Sequence, residues 1–279
     1  MTLVAIPDPY DFSFSTERFR RFGPDLANLW HEGGLHRVIG GRDVRIEPAP
    51  GGVDVEPVDE EVAEVVAKLL GLEFDLDAFE SFARETDRTL AELVERLRGF
   101  RPPIGPDPFE TLVTSITAQQ VSLASAFAIR SRMIERLGER GRFAYAFPTR
   151  ERLAAAAPEE LTDVGFSGRK AEYVIGLARA DLDYAELERL PDEEVKARLV
   201  AVRGLGEWTA DWFLARHLAR PQAWPAGDLG LRKAAAAFYG DGSLPSIEEV
   251  RVLGARFAPF QNLTAHYLLA GLYLTGPAV

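Results

Sequence analysis

The stretch VRGLGEWTADW, residues 202–212, lies between two segments whose apolar residues recur at helical spacing. Its two glycines, Gly204 and Gly206, flank a single leucine, and a glycine inside a helix costs about 1 kcal/mol relative to alanine. We therefore expect one helix over 192–202 to end here and a second to follow at once over 207–219. The sequence predicts a helix, a tight hairpin and another helix.

The predicted hairpin has the properties of an anion site. Glycine at positions 204 and 206 permits backbone angles closed to other residues and leaves the backbone amides unobstructed. These amides and the positive end of the following helix favour a bound phosphate without any basic side chain. A Gly-x-Gly turn between helices is also a common packing turn, and the spacing alone leaves both interpretations open. It is not a dinucleotide fingerprint, because Thr209 replaces the third glycine and no strand precedes it.

Composition limits the chemistry that the chain can carry. Cysteine is absent from the 279 residues, which excludes disulfides, a cysteine nucleophile and a cysteine-ligated iron–sulfur cluster. The four histidines are scattered without metal-ligand spacing, so we expect no metal. Neither a signal-peptide pattern nor an apolar stretch of about 18 residues is present. We expect a cytoplasmic protein that makes no contact with a membrane.

The net charge of −11 argues at first against a nucleic-acid partner, which normally requires a basic excess. The acid is concentrated in residues 1–100, which carry 21 Asp or Glu against 11 Lys or Arg. Residues 101–150 carry seven arginines against four acidic residues. Five of these arginines lie close together in sequence and form either a solvated helix face or a phosphate-facing one: Arg130, Arg132, Arg136, Arg140 and Arg142.

Hydrophobic periodicity divides the chain into a mixed part and a helical part. Apolar and polar residues alternate in three segments, which predicts a small antiparallel sheet: 35–39, 43–48 and 52–57. PYDFSF at 9–14 is a candidate for another strand. The stretch GFRPPIGPDP, 99–108, contains four prolines and two glycines and marks the best boundary. We therefore predict a mixed α/β N-terminal domain over 1–100 and a helical domain over 101–279.

The second part is predicted to be almost entirely helical. The expected helices lie near 109–118, 122–137, 149–156, 158–163, 168–180, 192–202, 207–219, 229–239, 246–257 and 261–274. The alanine runs at 154–157 and 234–237 are expected in helix interiors.

The sequence after the hairpin extends the pattern to that of a known family. LVAVRGLGEWTADWFLARH, followed by QAWPAGDLGLRKA, resembles the helix-hairpin-helix DNA glycosylase superfamily in its hairpin, its loop with Gly and Pro, and the Asp that begins the next helix. PYDFSF, SITAQQVS, GEWTADW and PAGDLGLRK resemble, in the same order, segments of the bacterial 3-methyladenine DNA glycosylase II family. The resemblance implies a mostly α fold with a small α+β N-terminal domain, in which two helical subdomains flank a cleft.

The resemblance also implies an activity. Superfamily members that cut the DNA strand use a lysine nucleophile at the position of Trp208, where no Schiff base can form in this chain. A monofunctional glycosylase is therefore implied, which flips alkylated purines such as 3-methyladenine or 7-methylguanine out of duplex DNA and hydrolyses them off in base excision repair. Asp228, in the catalytic loop 221–233, corresponds to the central carboxylate and stabilises positive charge on the sugar. The alternative for Asp228 alone is a cap on helix 229–239, and both can be true.

Further roles follow from matched positions only. The base pocket is expected to contain five aromatic residues: Trp208, Trp212, Phe260, Phe12 and Phe14. The expected DNA contacts are Gln119, Gln120, Ser122, Gly204, Gly206 and Thr209. Gln120 stands at the position of the residue that fills the gap left by the flipped nucleotide, although a pair of surface amides is an equal alternative. Where the family has Trp or Tyr followed by Arg, this chain reads FAPFQNL, which puts the range of substrates in doubt.

The expected partner is damaged double-stranded DNA, bound by a monomer without a cofactor, apart from a monovalent cation that hairpin carbonyls of this superfamily can hold. Three alternatives stay open. The pocket residues do not exclude deaminated or oxidised bases as substrates. A helix-hairpin-helix protein can also bind DNA without catalysis. The acidic first hundred residues can instead form a protein-interaction surface.

Overall fold

The computed structural model describes residues 2–275 and confirms the predicted fold class, mostly α-helical with a small antiparallel sheet. The strands are β1 Thr2–Ala5, β2 Leu29–His31, β3 Gly34–Ile39, β4 Arg42–Ala49 and β5 Gly52–Glu56. The first helices are α1 Phe12–Thr16, α2 Glu60–Leu69, α3 Leu76–Thr86 and α4 Arg88–Arg96. Eleven more follow: α5 Pro108–Ala118, α6 Leu123–Leu137, α7 Arg150–Ala154, α8 Pro158–Thr162, α9 Gly168–Arg179, α10 Tyr184–Arg189, α11 Asp192–Val200, α12 Glu207–Arg216, α13 Leu229–Tyr239, α14 Ile247–Ala255 and α15 Gln261–Ala270. A π-helical turn over Gly271–Thr275 continues α15.

The sheet has the strand order β1-β5-β4-β3-β2, with every neighbouring pair antiparallel. Its three inner strands are those that the alternating pattern predicts. The two edge strands, with four and three residues, are too short to show an alternation. The strand expected in PYDFSF is wrong, because residues 12–16 form α1 and the Asp11 carboxylate accepts a hydrogen bond from Phe14 N at 2.8 Å.

The sheet buries one apolar face against α2. Side chains of alternating strand residues, including Val44, Ile46 and Val53, pack with Val62 and Val66 of the helix. Apolar residues that recur at every second position of the strands thus pack against apolar residues that recur at about every 3.6 positions of the helix, as the sequence pattern predicts.

Two helical cores lie beyond the sheet. Helices α5 to α12 surround the first, and α3 and α4 pack with α13 to α15 around the second. Residues 76–96, placed by sequence in the N-terminal domain, therefore share a core with the C-terminal helices. The proline-rich stretch 99–108 is not a solvated linker either, since Phe100 and Ile104 are buried and Gly105 N donates a hydrogen bond to Arg216 O at 2.6 Å. Residue 1 and residues 276–279 of the predicted domains lie outside the described residues.

One local prediction about the helical part is wrong, and one short helix was missed. The alanine run 154–157 is not a helix interior, because α7 ends at Ala154 and Ala157 caps α8 before Pro158. Helix α10 was not predicted, since its six residues are too few for a helical period to stand out.

The arginines of the 101–150 segment do not form one phosphate-facing surface. Arg130 is buried in ion pairs with Asp25 and Glu110, and Glu110 also accepts a hydrogen bond from Arg37 of β3 at 2.6 Å. Burial alone would raise the pKa of Glu110, but Arg37 and Arg130 hold it below its ordinary value of 4.5. This network joins the sheet to α5 and α6, so Arg130 holds the two parts of the molecule together.

Candidate active site

The two glycines of the hairpin have different structural roles. Gly204 has φ +99°, and a Cβ there would stand 2.4 Å from Cγ of Tyr173, so both the backbone conformation and the close packing exclude a side chain. Gly206 is the N-cap of α12, in extended conformation and with open space around it. No side chain caps α12, so its first amides face an unobstructed approach.

Asp228 is held by three N–H donors. Its Oδ1 accepts a hydrogen bond from Leu231 N at 2.9 Å, so it caps α13 as the sequence predicts. Its Oδ2 accepts from the indole Nε1 of Trp208 at 2.8 Å and of Trp212 at 3.0 Å. The two tryptophans lie one helical turn apart on α12 and thus face the same way. The carboxylate is therefore fixed by the hairpin helix as well as by its own helix.

Trp212 does not offer its ring to a ligand. It is 2% exposed, and the guanidinium of Arg216 covers its face with Cζ at 3.5 Å from the ring centroid. His266 meets the ring in a T-shaped contact at 5.9 Å between centroids. Trp208 is half-buried. The expectation that Trp212 belongs to the base pocket is thus corrected: the structure places it behind Arg216, where it supports Arg216 and Asp228.

A cavity beside Asp228 opens between the two helical cores. The side chains around it come from the N-terminal segment, the 99–108 stretch, α6, α12, α15 and the π-helical turn. They include Phe14, Arg18, Phe22, Phe127, Arg216, His266 and Tyr273. Tyr273 connects the cavity to the carboxylate: its Oη and Asp228 Oδ1 each lie 3.0 Å from the point where a Cβ on Gly230 would stand. Any larger residue at 230 would press on both groups.

Only one of the three phenylalanines expected in the base pocket lines this cavity. Phe14 does so. Phe12 is buried in the core of the sheet, with its ring centroid 5.4 Å from that of Trp30. Phe260 packs in the second helical core against Phe82, with ring centroids 5.2 Å apart. The expected placement of Phe12 and Phe260 is therefore corrected.

The predicted DNA-contacting residues around 119–122 divide into exposed and internal ones. Gln119 Nε2 donates to Gly204 O at 2.9 Å and approaches the Thr209 hydroxyl at 3.5 Å, and the Thr209 side chain is buried. Gln119 thus connects the loop to the hairpin; it is half-buried, whereas Thr209 is buried. Gln120 projects outward with φ +54°, and Ser122 is exposed and caps α6.

Sequence reasoning missed most of the cavity. Arg18 and Phe22 follow Phe14 in the N-terminal segment, Phe127 lies on α6, and Arg216 ends α12. The sequence around each of these residues is that of an ordinary core or surface position, and only the fold brings them together. Phe127 carried the one usable signal, since it lies one turn into the helix that follows SITAQQVS.

Between residues 2 and 275, no three His, Asp or Glu side chains are grouped so that they could hold a metal ion. No helix in that range is long and apolar enough to cross a membrane.

Comparison with known proteins places the site in a family. The model of the HhH-GPD superfamily base excision DNA repair proteins matches residues 113–259, which include the hairpin, both tryptophans and Asp228. The chain belongs to the HhH-GPD superfamily. Cavity residues Phe14, Phe22 and Tyr273 lie outside the matched segment.

Individual superfamily members resemble the chain over most of its length. It is 29% identical over 232 residues to the DNA-3-methyladenine glycosylase of Bacillus subtilis, which covers 79% of this chain and 76% of the relative. The solved 3-methyladenine DNA glycosylase of Archaeoglobus fulgidus superposes with a TM-score of 0.87 at 27% identity, over 97% of this chain and 98% of the other. The Schizosaccharomyces pombe enzyme Mag1, solved with abasic DNA, has a TM-score of 0.64 at 26% identity, over 72% and 98%.

Proposed function

We propose that this HhH-GPD protein is a monofunctional DNA N-glycosylase that removes alkylated bases from duplex DNA in base excision repair. The observation that carries the proposal is a fixed carboxylate beside an aromatic cavity, immediately next to a helix-hairpin-helix. Relatives named 3-methyladenine DNA glycosylases support the alkylated class of substrate.

The chemistry requires charge stabilisation at the sugar. As the bond between C1′ and the base nitrogen breaks, the base leaves with the electron pair and positive charge develops on the deoxyribose. The Asp228 carboxylate, oriented by Trp208 and Trp212, stabilises that charge and orients the water that attacks C1′. A carboxylate whose hydrogen bonds are already formed pays little reorganisation cost during the reaction.

The reaction ends at base removal. Trp208 occupies the place where a lysine nucleophile would be needed, and an indole cannot form a Schiff base with the sugar. The products are therefore the free base and an abasic site. The strand breaks only when alkali or another enzyme acts on that site.

The DNA is held by backbone groups and by the exposed 120–123 loop. The amides at the start of α12 receive a phosphate, as the open space around Gly206 allows. Gln120 enters the duplex, with Val121 and Leu123, which are 39% and 38% exposed, beside it. Mag1, solved with abasic DNA, supports duplex DNA as the partner.

The test is base release from methylated duplex DNA, measured by chromatography, with strand nicking before and after alkali. We expect release of 3-methyladenine or 7-methylguanine in EDTA, nicks only after alkali, and loss of release in Asp228→Asn with DNA binding retained. Arg88→Gln is a matched surface control, because Arg88 lies on α4 with its side chain 92% exposed. Binding without release of any methylated base would favour the non-catalytic alternative.

A further inference from the structure

Lys170, in the first turn of α9, holds the end of α5. Its Nζ donates a hydrogen bond to the backbone oxygen of Thr117 at 2.8 Å. Thr117 lies in the last turn of α5, where carbonyl groups have no helical partner and a cation is favourable. The Lys170 side chain is half-buried, and this bond is the one polar contact that it makes within residues 2–275. The ammonium group therefore serves the α5 carbonyl and not an ion pair.

The same face of α9 also supports the hairpin. Tyr173 follows Lys170 by three positions, so the two side chains lie on one face of the helix. The ring of Tyr173 occupies the space that a Cβ on Gly204 would need. The backbone oxygen of Gly204 accepts the hydrogen bond of Gln119, which belongs to the loop after α5. Helix α9 thus contacts both the end of α5 and the hairpin, and it fixes the distance between them.

Gln120 is the residue whose position depends on these contacts. Its φ of +54° is a left-handed conformation that residues with a side chain rarely adopt, and such a conformation persists only where the surrounding structure determines it. The contacts of Thr117 and Gln119 fix the chain before Gln120. The cap that Ser122 places on α6 fixes the chain after it. Loss of one of these contacts would let Gln120 relax to an ordinary backbone conformation.

We propose that Lys170 is a positioning residue for base flipping, because its bond to the end of α5 holds the exposed Gln120 at a fixed place relative to the phosphate site of the hairpin. The hairpin sets where the DNA strand lies, and Gln120 must enter the duplex at that place. A misplacement of about 1 Å can lower a rate about a hundredfold, even when the substituted residue lies away from the reacting atoms. The inference rests on the proposed function, because it takes the 120–123 loop as the segment that enters the duplex.

The first test compares a paired lesion with an unpaired one under single-turnover conditions. We expect Lys170→Met to lower the release of 7-methylguanine at least tenfold when the lesion is paired with cytosine. The loss should be less than threefold when the lesion stands opposite an abasic site, because an unpaired base costs less to flip. Lys170→Arg keeps a charged donor and should restore both rates. Lys68→Met is the matched control, since Lys68 is also half-buried but lies on α2, which packs against the sheet.

Two further measurements show whether Lys170 acts through Gln120. In the Gln120→Gly background, Lys170→Met should lower the rate less than twofold further, because two changes that act through one side chain are not additive. A fluorescent base analogue opposite an abasic analogue reports entry of the loop without base release. Wild-type protein should raise the fluorescence, and Lys170→Met should bind the same duplex without that rise. Lys170→Gln is the second variant if Lys170→Met does not fold.

The outcomes separate this inference from the proposed function. An equal loss for the paired and the unpaired lesion, or an additive loss with Gln120→Gly, would overturn the positioning role, and so would normal release in both folded lysine variants. None of these results would affect the glycosylase activity of the wild-type protein. A wild-type protein that raises the fluorescence but releases no base, with no rise in the lysine variants, would refute the glycosylase and support the positioning role. Neither release nor a rise in fluorescence would overturn both.

Discussion

At the scale of single residues, Trp208 is the side chain through which the hairpin acts on the carboxylate. Its Nε1 donates to Asp228 Oδ2 at 2.8 Å while the residue stays half-buried at the cleft. We expect Trp208→Phe, which keeps an aromatic ring and loses the donor, to lower single-turnover base release about tenfold, because a hydrogen bond to a charged group contributes about 1.5–3 kcal/mol. Binding of an abasic duplex should change less than twofold.

A matched variant separates this effect from a general cost of losing an indole. Trp224 Nε1 donates to the backbone oxygen of Val250 at 2.8 Å, away from the carboxylate. Trp224→Phe should therefore leave the rate of base release unchanged in the folded protein. If both variants lowered the rate equally, the orientation of Asp228 by Trp208 would be refuted. A faster Trp208→Phe would mean that the indole restrains the carboxylate.

At the scale of elements, the α5–α6 loop and the hairpin behave as one unit because of Gln119. Its amide reaches Gly204 O at 2.9 Å across 85 positions of sequence. We expect Gln119→Ala to lower the free energy of unfolding by about 1 kcal/mol, since a net hydrogen bond contributes 0.5–1.5 kcal/mol, and to weaken DNA binding. Chemical denaturation and a fluorescence binding titration measure the two effects.

The neighbouring glutamine provides the contrast. Gln120 is exposed and has φ +54°, a conformation in which glycine carries no steric cost. Gln120→Gly should therefore leave stability unchanged or raise it, while it lowers base release by removing the side chain that enters the duplex. A loss of stability in Gln120→Gly, or none in Gln119→Ala, would contradict this division between an internal and an exposed residue.

Elements were predictable from sequence where the signal is local. The alternation of apolar and polar residues predicted strands β3 to β5, and the two glycines predicted the hairpin. An Asp directly before a helix predicted the cap at Asp228. The cavity was not predictable, because its lining comes from five stretches far apart in sequence. Resemblance located Trp208 and Trp212 but not the covering of Trp212 by Arg216, which depends on a contact between side chains.

At the scale of the whole molecule, a buried charge network joins the sheet to the helices. Glu110 of α5 contacts Arg37 of β3 and Arg130 of α6, and Arg130 also pairs with Asp25. Burial opposes ionisation of Glu110 and Asp25, but their partners hold the pKa of each below its ordinary value. The network thereby fixes the segment before β2, and with it the nearby Arg18 and Phe22, against the helical cores.

This network predicts how stability depends on pH. A carboxylate with a lowered pKa in the folded state stabilises fully above its unfolded pKa, 4.5 for Glu, and that contribution is lost as the pH falls through the folded value. Glu110→Gln should therefore lower the free energy of unfolding by about 3–5 kcal/mol at pH 7, because it leaves two buried arginines short of an anion. The deficit relative to wild type should shrink as the pH falls below 4.5. Urea denaturation at several pH values measures both.

The control is Glu92→Gln on α4, whose carboxylate pairs with Arg88 at the surface and is 61% exposed. Its free energy of unfolding should follow the wild-type curve at every pH. If the free energy of unfolding of Glu110→Gln also followed the wild-type curve at every pH, the charge network would not stabilise the packing between sheet and helices. It would only result from that packing. A deficit confined to neutral pH, together with slower base release, would show that the charges hold the N-terminal segment in place at the cavity.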